Sequence, residues 1–194
     1  MKLDAKHVAL MGMFIALNVA VGGVVHVAKA PIFLDAIGTV LAVMLLGLVP
    51  GAIVGVLSFV LAALLINPVY IYFVGTQAVI SLFIYFAAAN FSAFKSLQRA
   101  VPMGLILGAV AGLVSAPVIV FVFGGVAGSG RDLITAGLMS TGQQVFKAVF
   151  LSGLASEPID KLLQVLACFF ILRSLPKRVL TQFRNPLLER NGFI

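Results

Sequence analysis

The sequence predicts an all-α integral membrane bundle of six transmembrane helices, with both termini on the cytoplasmic side. Three observations carry this reading. Six long apolar runs follow one another with little between them, over roughly 8–28, 33–49, 51–66, 69–94, 101–124 and 143–175. Hydrophobic residues make up 62% of the 194-residue chain and charged residues 10%, too few to cover the apolar surface of a water-soluble domain. The charges also gather at the ends of the runs, where a membrane helix tolerates them. A hydrocarbon core about 30 Å thick needs about 20 apolar residues as a helix, and most of these runs approach that length.

The charges orient the bundle. With the N-terminus inside, the inner segments hold nine basic residues: Lys2, Lys6, Lys95, Arg99, Arg173, Lys177, Arg178, Arg184 and Arg190. The outer segments and outer helix ends hold four: Lys29, Arg131, Lys147 and Lys161. That bias favours N-in, C-in. The second and third runs are short and joined only by Leu48–Val49–Pro50–Gly51, read as a tight cytoplasmic turn in preference to a broken or re-entrant pair. The last run changes character along its length. Residues 131–156 are moderately apolar and read as an outer loop with a partly inserted helix. Glu157–Pro158 then suits the first turn of a final span to about Leu175, because Pro fits that turn and Glu complements the positive end of the helix dipole. Residues 1–182 form one membrane domain in this reading, and 183–194 a polar cytoplasmic tail.

Several function classes lack support. No G-x-x-x-x-G-K-[ST] occurs, so ATP hydrolysis by the P-loop route is not expected of this chain. Cys168 is the only cysteine, which leaves no intrachain disulfide, and His7 and His26 stand alone without zinc-ligand neighbours. The carboxylates Asp35, Asp132, Glu157 and Asp160 have no acid–base spacing, and no G-x-S-x-G is present, so an enzyme is not expected. The net charge of +7 is assigned to helix ends and anionic headgroups, with no nucleic-acid partner. The short basic Met1–Lys6 segment leads into a long apolar run without a clear cleavage site, unlike a cleavable signal.

Two constellations remain. On the first helix Gly12, Ala16 and Ala20 recur every four residues, a face that another helix can approach closely, either within the bundle or in a partner. At the outer side polar and aromatic groups converge: His26, Asp35, Asn67, Tyr70, Tyr72, Gln77, Gln143, Gln144 and Lys147, with Thr76 beside Gln77. Such a mouth suits a small molecule. Tyr70 and Tyr72 equally suit an interfacial aromatic belt. Asp35 and Gln77 are polar groups at membrane depth that need partners. Lys29 and Arg131 read as solvated loop charges, and Cys168 as a packed, inert thiol.

With these residues in view, the chain resembles the substrate-binding S components of energy-coupling factor (ECF) vitamin transporters, in particular the cobalamin-type S components of lactobacilli. The resemblance spans about residues 5–180. It rests on six spans in a short chain and on the first-helix segment Ala9-Leu-Met-Gly-Met-Phe-Ile-Ala-Leu-Asn-Val-Ala20. It rests further on Phe33-Leu-Asp-Ala-Ile-Gly-Thr39 with Leu46-Gly-Leu-Val-Pro-Gly-Ala52, and on Glu157-Pro-Ile-Asp-Lys-Leu-Leu163 through Arg173-Ser-Leu-Pro-Lys-Arg178.

The resemblance implies a subunit of the bacterial cell membrane that binds a vitamin at its outer face. It would deliver the vitamin by docking through Gly12, Ala16 and Ala20 on a membrane coupling subunit driven by two cytoplasmic ATPases. No cofactor is implied beyond the transported ligand. Cobalamin is the substrate this reading favours, with riboflavin, a queuosine precursor or pantothenate as alternatives. The segment Gly124-Gly-Val-Ala-Gly-Ser-Gly130 reads as a lid or an ordinary turn. The chain has no Trp, which several vitamin-binding relatives use for stacking; Tyr70, Tyr72 and Phe73 are the rings left. A structural membrane protein without a ligand is the competing class.

Overall fold

The computed structural model describes residues 4–183 and 185–194. Lys2 and Arg184, two of the inner charges used above, lie outside the described residues. The described chain is all-helical: α1 (Ala5–Val27), α2 (Ile37–Leu46), α3 (Leu48–Leu65), a 3-10 helix (Pro68–Phe73), α4 (Val74–Phe91), α5 (Leu97–Phe121), α6 (Asp132–Ser140), α7 (Val145–Ser174), α8 (Lys177–Leu180) and α9 (Pro186–Arg190). Four stretches are long and apolar enough to cross a membrane: α1, α3, the 3-10 helix continued by α4, and α5. The architecture is compatible with a membrane helical bundle.

The second apolar run departs from expectation. Its own helix is only the ten residues Ile37–Leu46, about 15 Å at 1.5 Å per residue and half of a hydrocarbon core, before Leu48 begins α3. Residues 28–36 ahead of it are irregular, and Leu34 sits at a φ of +51°. What makes α2 the centre of the bundle is its burial: every residue from Gly38 to Leu46 is buried. Gly47 alone separates it from α3, at a φ of +97° that a side chain rarely adopts. Gly51 then faces Val43 and Gly55 faces Thr39, so α2 and α3 form a tight antiparallel hairpin. The tight-turn reading describes this corner, although the hairpin's first arm is only half a span.

The last run also differs. Residues 132–140 form α6, and α7 then runs unbroken for 30 residues through Pro158, beginning twelve residues before the expected start. Pro158 has no N–H for the Leu154 carbonyl, a loss that a neighbouring helix at close range makes tolerable. That neighbour is α5. Gly104 faces Leu162, Gly108 faces Glu157 and Pro158, and Gly112 faces Gly153, an antiparallel register. In lipid, helices associate through close van der Waals packing and interhelical hydrogen bonds, since apolar surface gains little by leaving lipid for protein. Glycines every four residues along α5 provide that approach.

The C-terminal segment is folded against the bundle. Leu187, Leu188 and Phe193 are buried. Asn185 donates to the carbonyls of Val43 and Met44, at 3.2 and 2.9 Å, at the C-terminal end of α2. Asn191 accepts from the Phe94 amide at 2.8 Å and donates to the Ala88 carbonyl at 3.1 Å. Both asparagines satisfy backbone groups where a helix ends or a turn begins. The polar composition of 183–194 concealed this, because the anchoring residues are three apolar side chains and two amides.

The α5–α7 contact makes a direct prediction. A Cβ on Gly108 would lie 2.3 Å from the Glu157 carbonyl oxygen and the Pro158 Cα, both backbone atoms, whereas a Cβ on Gly12 meets nothing within 4 Å. Gly108→Ala should therefore destabilise the purified protein by about 1–3 kcal/mol through overpacking. Gly12→Ala should be neutral or gain up to about 1 kcal/mol from helix propensity. Thermal unfolding of the two variants in one detergent checks both signs.

Candidate functional site

A cavity opens at the end of the bundle where α1 and α3 finish. It holds about 670 Å³ of empty space, its open mouth included. Ser129 and Ala127 of the glycine-rich loop stand at its lining, with aromatic walls of Phe33, Phe59, Tyr70 and Phe73. His26 and Tyr70 lie with ring centroids 5.8 Å apart, and Phe59 meets Tyr70 edge-on at 5.3 Å. Asn67 shapes the turn that presents Tyr70. Its side-chain oxygen accepts from the Val69 amide at 3.0 Å and caps the 3-10 helix, with Pro68 in the first turn.

The cavity's charged wall comes from α7 and the loop before α6. Asp35, Arg131, Glu157 and Lys161 line it, and Asp160 lies directly behind. Asp160 is a structural anchor. One of its oxygens accepts from the amides of Phe33 and Leu34 at 2.9 and 2.8 Å, and the other from Lys161 and Gln164. Gln164 returns its own oxygen to the Ala36 amide at 2.9 Å. The unwound 33–36 backbone thus finds its hydrogen-bond partners in side chains of α7, the condition for irregular backbone at membrane depth.

Arg131 is 1% exposed, where a solvated loop charge was expected. Its guanidinium donates to Ser152 at 3.1 Å, to Ser115 at 3.3 Å, to the Val149 carbonyl at 2.6 Å and to Glu157 at 3.5 Å. Burial lowers its hold on the proton while Glu157 and Asp132 act the other way, and guanidinium stays charged in proteins. The loop that carries it is pinned. Asp132 accepts from the amides of Gly128 and Ser129 at 2.6 and 2.9 Å, and Lys29 donates to the Gly128 carbonyl at 3.0 Å.

A neutral network reaches the cavity through Gln77. The Gly38 amide donates to Asn18 at 2.7 Å, and Asn18 donates to Thr39 and Ser58, both at 3.0 Å. Thr39 donates to the Gln77 oxygen at 3.0 Å. Gln77 is fully buried, and its Nε2 is the one buried side-chain nitrogen or oxygen among the described residues without a partner. A buried amide left unpaired costs about 1–3 kcal/mol.

Of the nine residues expected at the mouth, His26, Asp35, Asn67, Tyr70 and Gln77 come together on the cavity, as does Thr76. Tyr72 does not line it: it is 53% exposed and meets Phe123 edge-on at 5.2 Å. Gln144 and Lys147 are exposed and Gln143 half-buried at the start of α7, more than two turns from Glu157, away from the lining. Phe33, Phe59, Ser115, Arg131, Glu157 and Lys161 were not among the nine. Glu157 with Lys161 carried a readable signal, charges one turn apart in the middle of an apolar helix. Arg131 carried none beyond its charge. Among the described residues no group of His, Cys, Asp and Glu is arranged to hold a metal.

The face holding Gly12, Ala16 and Ala20 is exposed along α1, opposite the buried residues Met11, Phe14, Asn18 and Gly22. No family model matches the chain, and neither does a curated protein or a solved structure.

The Asp160 anchor is testable without a ligand. Asp160→Asn should destabilise the protein by about 1–3 kcal/mol for each donor it strands, because an amide nitrogen cannot accept the bonds that Lys161 and Gln164 donate to the second carboxylate oxygen. Amide hydrogen exchange at Phe33, Leu34 and Ala36 should accelerate ahead of exchange in α5. Equal protection in the variant would mean that the segment is held by something other than α7.

Proposed function

We propose that this chain is the vitamin-binding S component of an ECF-type importer in a bacterial cell membrane. It binds its ligand in the cavity at one end of the bundle and passes it on by docking on a membrane coupling subunit. Two partner ATPases drive that cycle, and the chain itself is not an enzyme. The observation that carries the reading is the cavity: aromatic walls, a charged floor, and a buried Gln77 amide that lacks an acceptor. A bundle without a ligand would have no use for that arrangement, since each unpaired or buried charged group costs stability.

Two further observations support it. Gly12, Ala16 and Ala20 are exposed, and a Cβ at Gly12 would meet nothing within 4 Å, as a reversible docking surface between helices requires. The chain also lacks a P-loop, so the energy source must lie in partners. On substrate, the resemblance favours cobalamin. Riboflavin, pantothenate and a queuosine precursor are the smaller alternatives.

Isothermal titration of the purified chain against this vitamin panel tests the reading. One member should bind saturably. Asp35→Ala and Gln77→Ala should each weaken that binding by about tenfold or more, equivalent to about 1.4 kcal/mol, while assembly with the coupling subunit survives. Tyr72→Ala should leave it unchanged. Assembly without any ligand binding would favour a structural membrane protein.

A further inference from the structure

The charged wall of the cavity is unbalanced. At their ordinary charges Arg131 and Lys161 contribute two positive charges, and Asp35, Glu157 and Asp160 three negative ones, so the cluster carries one surplus negative charge. His26 lies on the same cavity but is bonded to none of these acids, and its ring faces Tyr70. Lys29 is turned to the Gly128 carbonyl.

Donors and acceptors are unequally used. Lys161 directs its ammonium at three carboxylates, Asp160, Asp35 and Glu157, which matches its three hydrogens. Arg131 is committed to two serines, a carbonyl and Glu157. Asp160 accepts four hydrogen bonds and is saturated. Asp35 and Glu157 differ from it. Asp35 has a single contact, to Lys161 at 3.5 Å, and Glu157 has Arg131 at 3.5 Å and Lys161 at 3.7 Å. Charge-assisted hydrogen bonds are normally about 2.7–2.9 Å, so these two carboxylates keep unused lone pairs beside the cavity. An anionic ligand would find the cations already occupied.

Gln77 Nε2 is the fully buried donor on the cavity that lacks a partner, beside the less buried side chains of His26, Asn67, Tyr70 and Thr76. The Gly38 amide can only donate, which sets the Asn18 oxygen. The Asn18 amide then donates to Thr39, and the Thr39 hydroxyl hydrogen is left for the Gln77 oxygen. Gln77 lines the cavity, and its Nε2 is without a partner.

We infer that the cavity takes an organic cation: a ligand with a protonated or quaternary nitrogen toward Asp35 and Glu157, and a hydrogen-bond acceptor toward Gln77. Phe33, Phe59, Tyr70 and Phe73 supply ring faces for such a cation and its flat body. This rests on the reading of the cavity as a small-molecule site and narrows the ligand class within it.

The test titrates the purified full chain with four probes of different charge: pyridoxamine and thiamine as cations, riboflavin as a neutral ring system, pantothenate as an anion. The expected result is saturable binding of at least one cation, at a Kd at least tenfold below those of riboflavin and pantothenate. That selectivity is read on the unaltered protein and needs no variant to fold. Asp35→Asn and Glu157→Gln should each weaken cation binding by tenfold or more, and Gln77→Leu should weaken it as well. Without ligand, Glu157→Gln should leave Tm unchanged or raise it, because it removes the surplus charge; a fall of several degrees would mean that the cluster is balanced as it stands and would overturn the inference. Saturable binding of riboflavin or pantothenate with neither cation would overturn the charge assignment and leave the small-molecule site standing. No binding by any probe up to millimolar concentration would overturn both.

Discussion

Asp160 holds the chain at the point where its backbone leaves helical geometry. Two consecutive amides, Phe33 and Leu34, donate to one carboxylate oxygen, and Lys161 and Gln164 occupy the other. Without those bonds the amides would be orphaned inside an apolar bundle, at a cost comparable to a lost hydrogen bond each. With them, residues 28–36 can cross the cavity wall without forming a helix. Asp35 is brought beside the cavity by the same geometry, because it sits between two tethered stretches of backbone. The half-length of α2 follows too: the residues that would complete a span are spent on the wall.

Polar and apolar packing divide the molecule by position. At the cavity end, hydrogen-bonded networks link α1, α2, α3 and α4 through Asn18, Thr39, Ser58 and Gln77, and link the Arg131 loop to α5 and α7 through Ser115, Ser152 and Glu157. Close backbone contact adjoins them: the glycine row of α5 meets α7, and Gly38 lets α2 approach the Phe14 carbonyl of α1. The opposite end is closed by the C-terminal segment, whose asparagines bond backbone groups of α2, α4 and the turn after α4. A bundle closed at one end and hollow at the other suits a protein that receives a ligand from one side.

The all-helical class was legible because it depends on run length and composition, which sequence states directly. The place of Asp35, Asn67, Tyr70 and Gln77 on one cavity was legible for a related reason: polar groups inside apolar runs need partners. Three features were not. The break in the second run is set by Asp160 and Gln164, some 130 residues away, and no local signal marks it. Pro158 looked like a helix start because its local chemistry is that of a first turn; only the packing of Gly108 against it explains an uninterrupted α7. Arg131 looked solvated because its neighbours are glycines and serines, while its partners lie on α5 and α7. The Gly104, Gly108 and Gly112 row was readable and points to the tightest helix pair in the fold.

The central claim is that the described cavity is an open, water-accessible pocket reaching into the bundle. Thiol labelling tests it most directly. In a Cys168→Ala background, Ile119→Cys places a thiol on the cavity lining of α5, and Leu107→Cys places one in the packed core about three turns away on the same helix. A small hydrophilic thiol reagent applied to the reconstituted protein should modify position 119 from one side of the membrane and leave position 107 unmodified. Protection of both positions, or equal modification of both, would contradict the account.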